Sequence, residues 1–413
     1  MATVRPFKAI RPNAEVADKV ISLPYDVMNR QEAAEMAKGN PFSFLHIGRA
    51  EIDLPEQANP YDASVYEKAR DNIEKFMREG TFLQEEKPVY YIYRQVMDGR
   101  SQSGIVGCVS IDEYMDNTIK KHEHTRVEKE IDRINHFDIC NANTEPVFLT
   151  YREDKRIKTL TEGIMANNEP VYRILSADGI AHMLWTIDDA GITEMIQRVF
   201  QDIPSLYIAD GHHRSASACK VGLKRRSEHP DYSGQEEFNF FMAVLFPDHE
   251  LKIYDYNRVI RDLNGNSEES LLNKIQAAGF IVEEKGETPY APEGRHVFGM
   301  FLGGIWYKLT ASLDIIPDHV IDHLDVAILQ NRVLGPLLGI EDPRTDKRID
   351  FIGGIRGLSE LERRVRLDMA VAFAVYPVDI EDLLAVSDNN LVMPPKSTWF
   401  EPKLGSGLFL HRL

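Results

Sequence analysis

The apolar run Leu206-Tyr207-Ile208-Ala209 passes without a spacer into Asp210-Gly211-His212-His213-Arg214 and then into Ser215-Ala216-Ser217-Ala218. Few folds accommodate that order: a short buried strand, a tight turn, and a helix of small residues that starts at the strand end. Gly211 permits a positive φ angle or a close backbone approach. The helix start presents unpaired amides and a partial positive charge, which suits an anion. Arg214 adds a bidentate phosphate clamp, and Gly211 and Ser215 join it as phosphate- or substrate-binding positions. Asp210 accepts a proton from an attacking hydroxyl or helps to hold Mg²⁺. His212 and His213 serve as acid, base or phosphate donor. The plainer reading is an ordinary Asp-Gly turn with Asp210 as a helix cap. Four polar, functional side chains within five residues, between a strand and a small-residue helix, favour a site.

The chain of 413 residues is 43% hydrophobic and 27% charged. Those values are ordinary for a protein with a real core. A net charge of −17 argues against a nucleic-acid partner and against anionic membranes, while leaving room for a compact basic pocket. Three cysteines, Cys108, Cys140 and Cys219, form no C-x-x-C pair, so a structural zinc site is not expected and a reducing compartment is. The start of the chain shows no apolar signal region, and no run approaches the ~18 apolar residues of a membrane span. These features predict a cytoplasmic protein, and they are compatible with a homo-oligomer.

Periodicity predicts a helix carrying Val65, Ala69, Ile73 and Phe76, and a hairpin of residues 88–96 and 104–111 turned at Asp98-Gly99. Ile21 to Asp26 reads as a strand ending at a proline-fixed turn. Residues 119–150 hold too few apolar side chains to be a core element. Strands follow at 171–175 and 181–187, and residues 240–246 and 251–256 read as a strand pair around Pro247-Asp248. Ser267 caps a helix, 297–302 and 305–309 form a hairpin, and 320–334 is helical. The mixture predicts an α+β (mixed α/β) fold. Three segments are expected: an N-terminal α/β segment 1–118, a core 119–260 with the phosphate loop, and a C-terminal α/β segment 261–413 with a basic tail loop.

Two further stretches carry candidate chemistry. In Lys120-Lys121-His122-Glu123-His124-Thr125-Arg126, continuing to Arg133, Glu123 is a candidate base or Mg²⁺ ligand. His122, Thr125, Arg126 and Arg133, with Asn143 beyond them, are candidate phosphate or substrate ligands. The competing reading is a charged helix start in which Thr125 caps and Glu128 completes a capping box. The tail Met393 to Gly407 contains Lys396, Ser397, Thr398 and Lys403 but lacks the upstream glycines of a P-loop. A loop of that composition still closes over a phosphate.

Together, Arg5-Pro6-Phe7, Leu23-Pro24-Tyr25-Asp26, His122-Glu123-His124-Thr125, Ala209 to Arg214, Asp255-Tyr256-Asn257-Arg258 and Met393 to Thr398 resemble the DUF1015 family over essentially the whole chain. The Asp-Gly-His-His-Arg segment also resembles the phosphate loop of the ParB and sulfiredoxin superfamily, which includes free-serine kinases and CTP-binding partition proteins. That resemblance implies a ParB/sulfiredoxin-like core with large additional α/β segments. In those kinases the loop's Asp and His, with a separate Glu, surround the nucleotide phosphates and the serine hydroxyl. Carried over, Asp210 and His213 are catalytic and Arg214 binds phosphate, with Glu123 as the separate acid.

The expectation is a phosphotransferase acting on a small hydroxylated metabolite, with free L-serine as substrate and O-phosphoserine as product. Its donor is ATP, ADP or pyrophosphate, with Mg²⁺ held at Asp210 and Glu123. Three alternatives remain: phosphatase action on phosphoserine with the same residues, a ParB-like nucleotide-binding regulatory protein without small-molecule chemistry, and a non-catalytic metabolite-binding protein.

Overall fold

The computed structural model describes residues 1–413, and the chain divides into two compact units. The first comprises Met1–Leu251 and Pro402–Leu413, and the second Lys252–Glu401. The fold is mixed α/β, as the sequence predicts.

The first unit is built on a nine-stranded mixed sheet. In chain order its strands and principal helices are β1 (Val4–Arg5), α1 (Ala63–Arg78), β2 (Tyr90–Met97), β3 (Arg100–Ser110), β4 (Ile119–Lys120), α2 (Val127–Cys140), β5 (Val147–Tyr151), β6 (Tyr172–Leu175), β7 (Ala181–Ile187), β8 (Leu206–Asp210), α3 (His212–Glu228) and β9 (Phe240–Pro247). The spatial order is β4-β8-β5-β9-β3-β2-β7-β6, with β1 paired to β3. β8 runs antiparallel to β5 and parallel to β4, while β9 runs parallel to β5 and antiparallel to β3. Strands buried on both faces read as continuous apolar runs, and all eight residues of β9 are buried. The β2–β3 hairpin turns at Asp98 and Gly99, both at positive φ (52° and 79°). A two-residue hairpin turn requires that conformation.

The second unit holds a six-stranded sheet over an apolar core that includes Ile260, Leu271, Phe298 and Phe373. Its hairpin Val297–Leu302 and Ile305–Ala311 turns at Gly303-Gly304, and Ser267 caps the helix Glu268–Ala277.

Several sequence expectations are corrected. Residues 119–150 contain α2 and β5, and β5 is wholly buried within the large sheet. Apolar counting misses α2 because its inward face mixes Phe137 and Cys140 with Glu130, Asp132, Arg133 and His136, whereas Val127 and Ile131 face solvent. Residues 240–246 and 251–256 do not pair. β9 stays in the first sheet, Ile253–Tyr254 pairs with Trp399–Phe400, and Tyr256–Ile260 enters the second sheet. The unit boundary therefore falls at 251/252 rather than near 260, and the tail returns to the first unit at Pro402. No boundary falls at 118, because residues 105–110 of β3 pair with residues 240–245 of β9 within one unit. Of 320–334, Asp325–Leu329 is α-helical and Gln330–Leu334 winds more widely. Residues 21–26 make one bridge, Ser22 to Ser406, followed by a 3₁₀ turn at Tyr25–Val27.

Candidate functional site

β8 ends at Asp210, and α3 begins two residues later. Gly211 makes that change of direction at φ 95°, where an L side chain is strained. A Cβ at this position would also lie 3.0 Å from the Arg214 guanidinium. The first helical bond of the turn runs from the Ser215 N–H to the Gly211 carbonyl (3.0 Å). The 17-residue helix thus directs its positive end at the end of the strand.

The Asp210 carboxylate collects positive partners there. It accepts from its neighbour's N–H at Gly211 (2.8 Å) and from Lys403 Nζ (3.2 Å), and Arg214 Nη2 lies 3.9 Å away. Burial works to raise its pKa, but Lys403 and Arg214 outweigh burial and hold it well below the usual carboxylate range. Arg214 is 2% exposed and donates through Nη1 to the Pro146 carbonyl (2.7 Å), while its buried Nε has no partner. Glu145 is also buried, accepting from the Ser406 hydroxyl (2.9 Å) and the Tyr25 N–H (3.4 Å). Burial pushes its carboxyl group upward, against the pull of Arg214 and Arg133.

Three histidines complete the cluster. Burial pushes His122 down to about 4, with Asp210 opposing, and its ring meets His212 edge-on at 4.4 Å between centroids. His212 accepts the His122 N–H at Nε2 (3.4 Å), so its proton sits on Nδ1. That Nδ1 faces a Glu123 carboxylate oxygen at 3.8 Å. His213 accepts the Arg126 N–H at Nε2 (2.9 Å) and likewise carries its proton on Nδ1. Burial lowers both imidazoles, and the nearby His122 lowers His212 further. Each is therefore neutral at pH 7 and offers an N–H donor. Segment 122–126 is fastened across the start of α3 by these two bonds.

The other sequence candidates fall in several places. Glu123 and Arg126 have exposed side chains beside the histidines. The Thr125 hydroxyl donates to Glu130 (2.7 Å), and Arg126 is the residue that precedes α2, so the Thr125–Glu128 capping box does not form. Ser215 is fully buried and its hydroxyl bonds back to the Gly211 and His212 carbonyls, which removes it from a ligand-facing position. Asp210 does not cap α3, because Gly211 holds that position and the Asp210 carboxylate turns to Lys403. Arg133 lies farther along α2 in an ion pair with Asp132. Asn143 is buried, and its side-chain oxygen meets His411 Nδ1 at 3.1 Å where residues 142–143 pair with 411–412. Lys396, Ser397 and Thr398 belong to the second unit. There the Lys396 carbonyl accepts from Arg258 (3.1 Å) and the Ser397 hydroxyl bonds to the Pro394 carbonyl. Lys403 is the tail lysine that reaches the Asp-Gly-His-His-Arg loop.

Sequence reasoning missed Glu145. Its only signal was a lone acid between Thr144 and Pro146, immediately before an apolar strand. No group of three or more His, Cys, Asp or Glu side chains converges in a way that could hold a metal ion. No helix is long and apolar enough to cross a membrane.

Fold and site define a mixed α/β protein whose strand–glycine–helix junction brings Asp210, Arg214, Lys403 and three histidines together. The chain belongs to the family described as protein of unknown function (DUF1015), whose model matches residues 4–327. No curated protein matches it. Among solved structures it is similar to a free serine kinase in complex with AMP, at 15% identity and a TM-score of 0.35, covering 73% of this chain and 91% of that chain. It is also similar to SbnI with C-terminal truncation from Staphylococcus aureus, at 11% identity and a TM-score of 0.41, covering 74% and 87%. A conserved hypothetical protein from Pyrococcus furiosus matches at 15% identity and a TM-score of 0.34, covering 73% and 94%.

Proposed function

We propose that the chain is a phosphotransferase that moves a phosphoryl group from ATP, ADP or pyrophosphate to a small hydroxylated metabolite, free L-serine, giving O-phosphoserine. The observation that carries this reading is the Asp210 carboxylate held ionised by Lys403 and Arg214 at the positive start of α3. A carboxylate with so depressed a pKa is a weak base. It suits phosphoryl transfer, where the transition state is loose and the hydroxyl needs orienting more than early deprotonation.

In the step, the serine hydroxyl oxygen bonds to phosphorus as the bridging P–O bond of the donor breaks. The hydroxyl proton passes to Asp210 late in the transfer, and the donor leaves as its dephosphorylated form. Lys403, Arg214 and the first-turn amides of α3 face the charge on the transferring group. The Nδ1–H groups of His212 and His213 act as neutral donors to phosphate oxygens rather than as bases. Were Mg²⁺ bound, Asp210 and Glu123 would hold it, and it would supply neutralisation of the donor's phosphate charge.

The test is phosphorus NMR of the protein with L-serine, Mg²⁺ and each donor in separate tubes. A phosphoserine resonance with one donor is expected, and it names that donor. Silence with all three donors contradicts the proposal. Release of free phosphate from phosphoserine, with no forward reaction, would instead assign a phosphatase.

A further inference from the structure

Helix α2 turns Lys129, Asp132, Arg133 and His136 toward a cavity of about 270 Å³, at the i, i+3, i+4, i+7 spacing of one helical face. The 3₁₀ turn at Tyr25–Val27, residues 48–51 and the start of α1 form the other walls. The volume lies just below the ~300–1,000 Å³ of pockets for drug-sized ligands, so it suits a small metabolite.

Arg133 dominates the interior. Its guanidinium lies 3.9 Å from the centre of the Tyr25 ring, and its Nε and Nη2 engage Asp132 Oδ2 at 2.9 and 2.8 Å. The other Asp132 oxygen accepts the Tyr66 hydroxyl (3.0 Å). Arg133 is only 5% exposed, yet its Nη1 is buried without a hydrogen-bond partner. A buried cationic donor left unsatisfied is costly, and one that lines a cavity is satisfied by an anionic group placed there. Arg49, the second arginine of the wall, is already engaged by Glu51 (2.9 Å) and by the Tyr25 carbonyl (3.3 Å).

The opposite charge stands at the mouth. Asp26 lines the cavity and is exposed, and its charge also acts on His213 and Arg214. It therefore faces both the cavity and the Asp-Gly-His-His-Arg loop. The rim is set in advance, because the Arg30 guanidinium donates to the carbonyls of Glu51, Leu54, Pro55, Glu56 and Ala58. An inner site for one negative charge and an outer carboxylate together match a zwitterion. A phosphate dianion would meet three carboxylates here, those of Asp26, Glu51 and Asp132.

We propose that this cavity is the acceptor pocket and takes an α-amino acid, with the carboxylate on the Arg133 guanidinium and the ammonium toward Asp26. Of the two roles the sequence leaves open for Arg133, phosphate or substrate ligand, this takes the second, as a ligand of the substrate carboxylate. The inference rests on the proposed phosphotransfer only for the fate of the bound hydroxyl, since binding is measured without a donor.

Calorimetric titration of the full chain, with and without ADP, uses four probes: L-serine, L-serine methyl ester, L-glycerate and inorganic phosphate. L-Serine is expected to bind, and the ester, lacking the carboxylate, about tenfold or more weaker. Arg133→Lys should weaken both L-serine and glycerate. Asp26→Asn, at an exposed position that does not threaten folding, should weaken L-serine and leave glycerate, which has no ammonium, unchanged. The pocket assignment is overturned if L-serine fails to bind in either condition, or if the ester binds as tightly. It is equally overturned if inorganic phosphate displaces L-serine at equal concentration, or if Asp26→Asn affects L-serine and glycerate alike. Serine binding without turnover on any donor would keep the pocket and reject the phosphotransfer. Turnover of a hydroxylated compound without a carboxylate would do the reverse.

Discussion

Helices α1 and α2 bury inner faces of different composition. α1 turns inward Val65, Ala69, Ile73 and Phe76, and the Phe76 ring meets Phe82 edge-on at 5.3 Å. α2 turns inward Glu130, Asp132, Arg133 and His136 beside Phe137 and Cys140, while Val127 and Ile131 remain 71% and 52% exposed. Its acids are matched: Glu130 by Lys220 and Thr125, Asp132 by Arg133 and Tyr66. Burial, reinforced by Arg133, pushes His136 down to about 3, so it stays neutral and bonds to the Ile47 carbonyl. Buried ion pairs contribute little stability relative to apolar side chains of the same volume. The contrast teaches that α1 packs through an apolar stripe, whereas α2 adds paired polar side chains to Phe137 and Cys140 on its buried face.

The largest effect that would break this contrast comes from Arg133→Met. It strands Asp132 in the interior and should cost about 3–5 kcal/mol, most of it regained in the double variant with Asp132→Asn. Ile73→Ala in α1 should cost about 2–5 kcal/mol and be rescued by no polar partner change. Urea unfolding measures all three. A cost for Arg133→Met within the about 0.5 kcal/mol of a surface substitution would end the buried-pair account.

The same distinction extends to two aspartates. In the second unit burial pushes Asp325 up to about 7, against the pull of the His296 N–H and Arg295. An acid with a raised folded pKa binds more protons folded than unfolded, so its contribution falls as pH rises from about 4 to about 7. Asp325→Asn should remove that decline, gaining stability at pH 8 relative to pH 4. Asp210 has the opposite sign, since its folded pKa is depressed. Its contribution is complete above about pH 4 and is lost only in stronger acid, as pH falls through the folded value. Urea midpoints across pH 3–8 should therefore separate Asp325→Asn from Asp210→Asn, and identical profiles would contradict the assignment of these shifts.

A smaller effect is expected at the loop itself. Gly211→Ala places a Cβ at φ 95° and 3.0 Å from Arg214. It should lose about 1–2 kcal/mol from the left-handed conformation alone. Unchanged stability and unchanged phosphoserine formation would show that the loop geometry is not required.

What was legible in the sequence follows the same division. The β8–Gly211–α3 junction and the Asp98-Gly99 and Gly303-Gly304 hairpins are local arrangements, fixed by residues adjacent in the chain. α2 escaped notice because most of its buried positions are polar and two of its apolar residues, Val127 and Ile131, face solvent, which blurs the hydrophobic periodicity. Glu145 escaped because one acid before a strand carries no pattern. Lys396 and Lys403 stand in the same tail, and local sequence does not say which reaches Asp210. The return of residues 402–413 to the first unit decides it, through the mutual Ser22–Ser406 backbone bonds and the Gln95 side chain on the Lys403 carbonyl.

The most direct test of the central claim is the rate of phosphoserine formation by Asp210→Asn. The variant keeps the shape of the side chain and removes its charge. The account predicts a loss of about 10²–10⁴-fold in turnover with the fold intact by circular dichroism. A variant that phosphorylates L-serine at the rate of the native chain would contradict it.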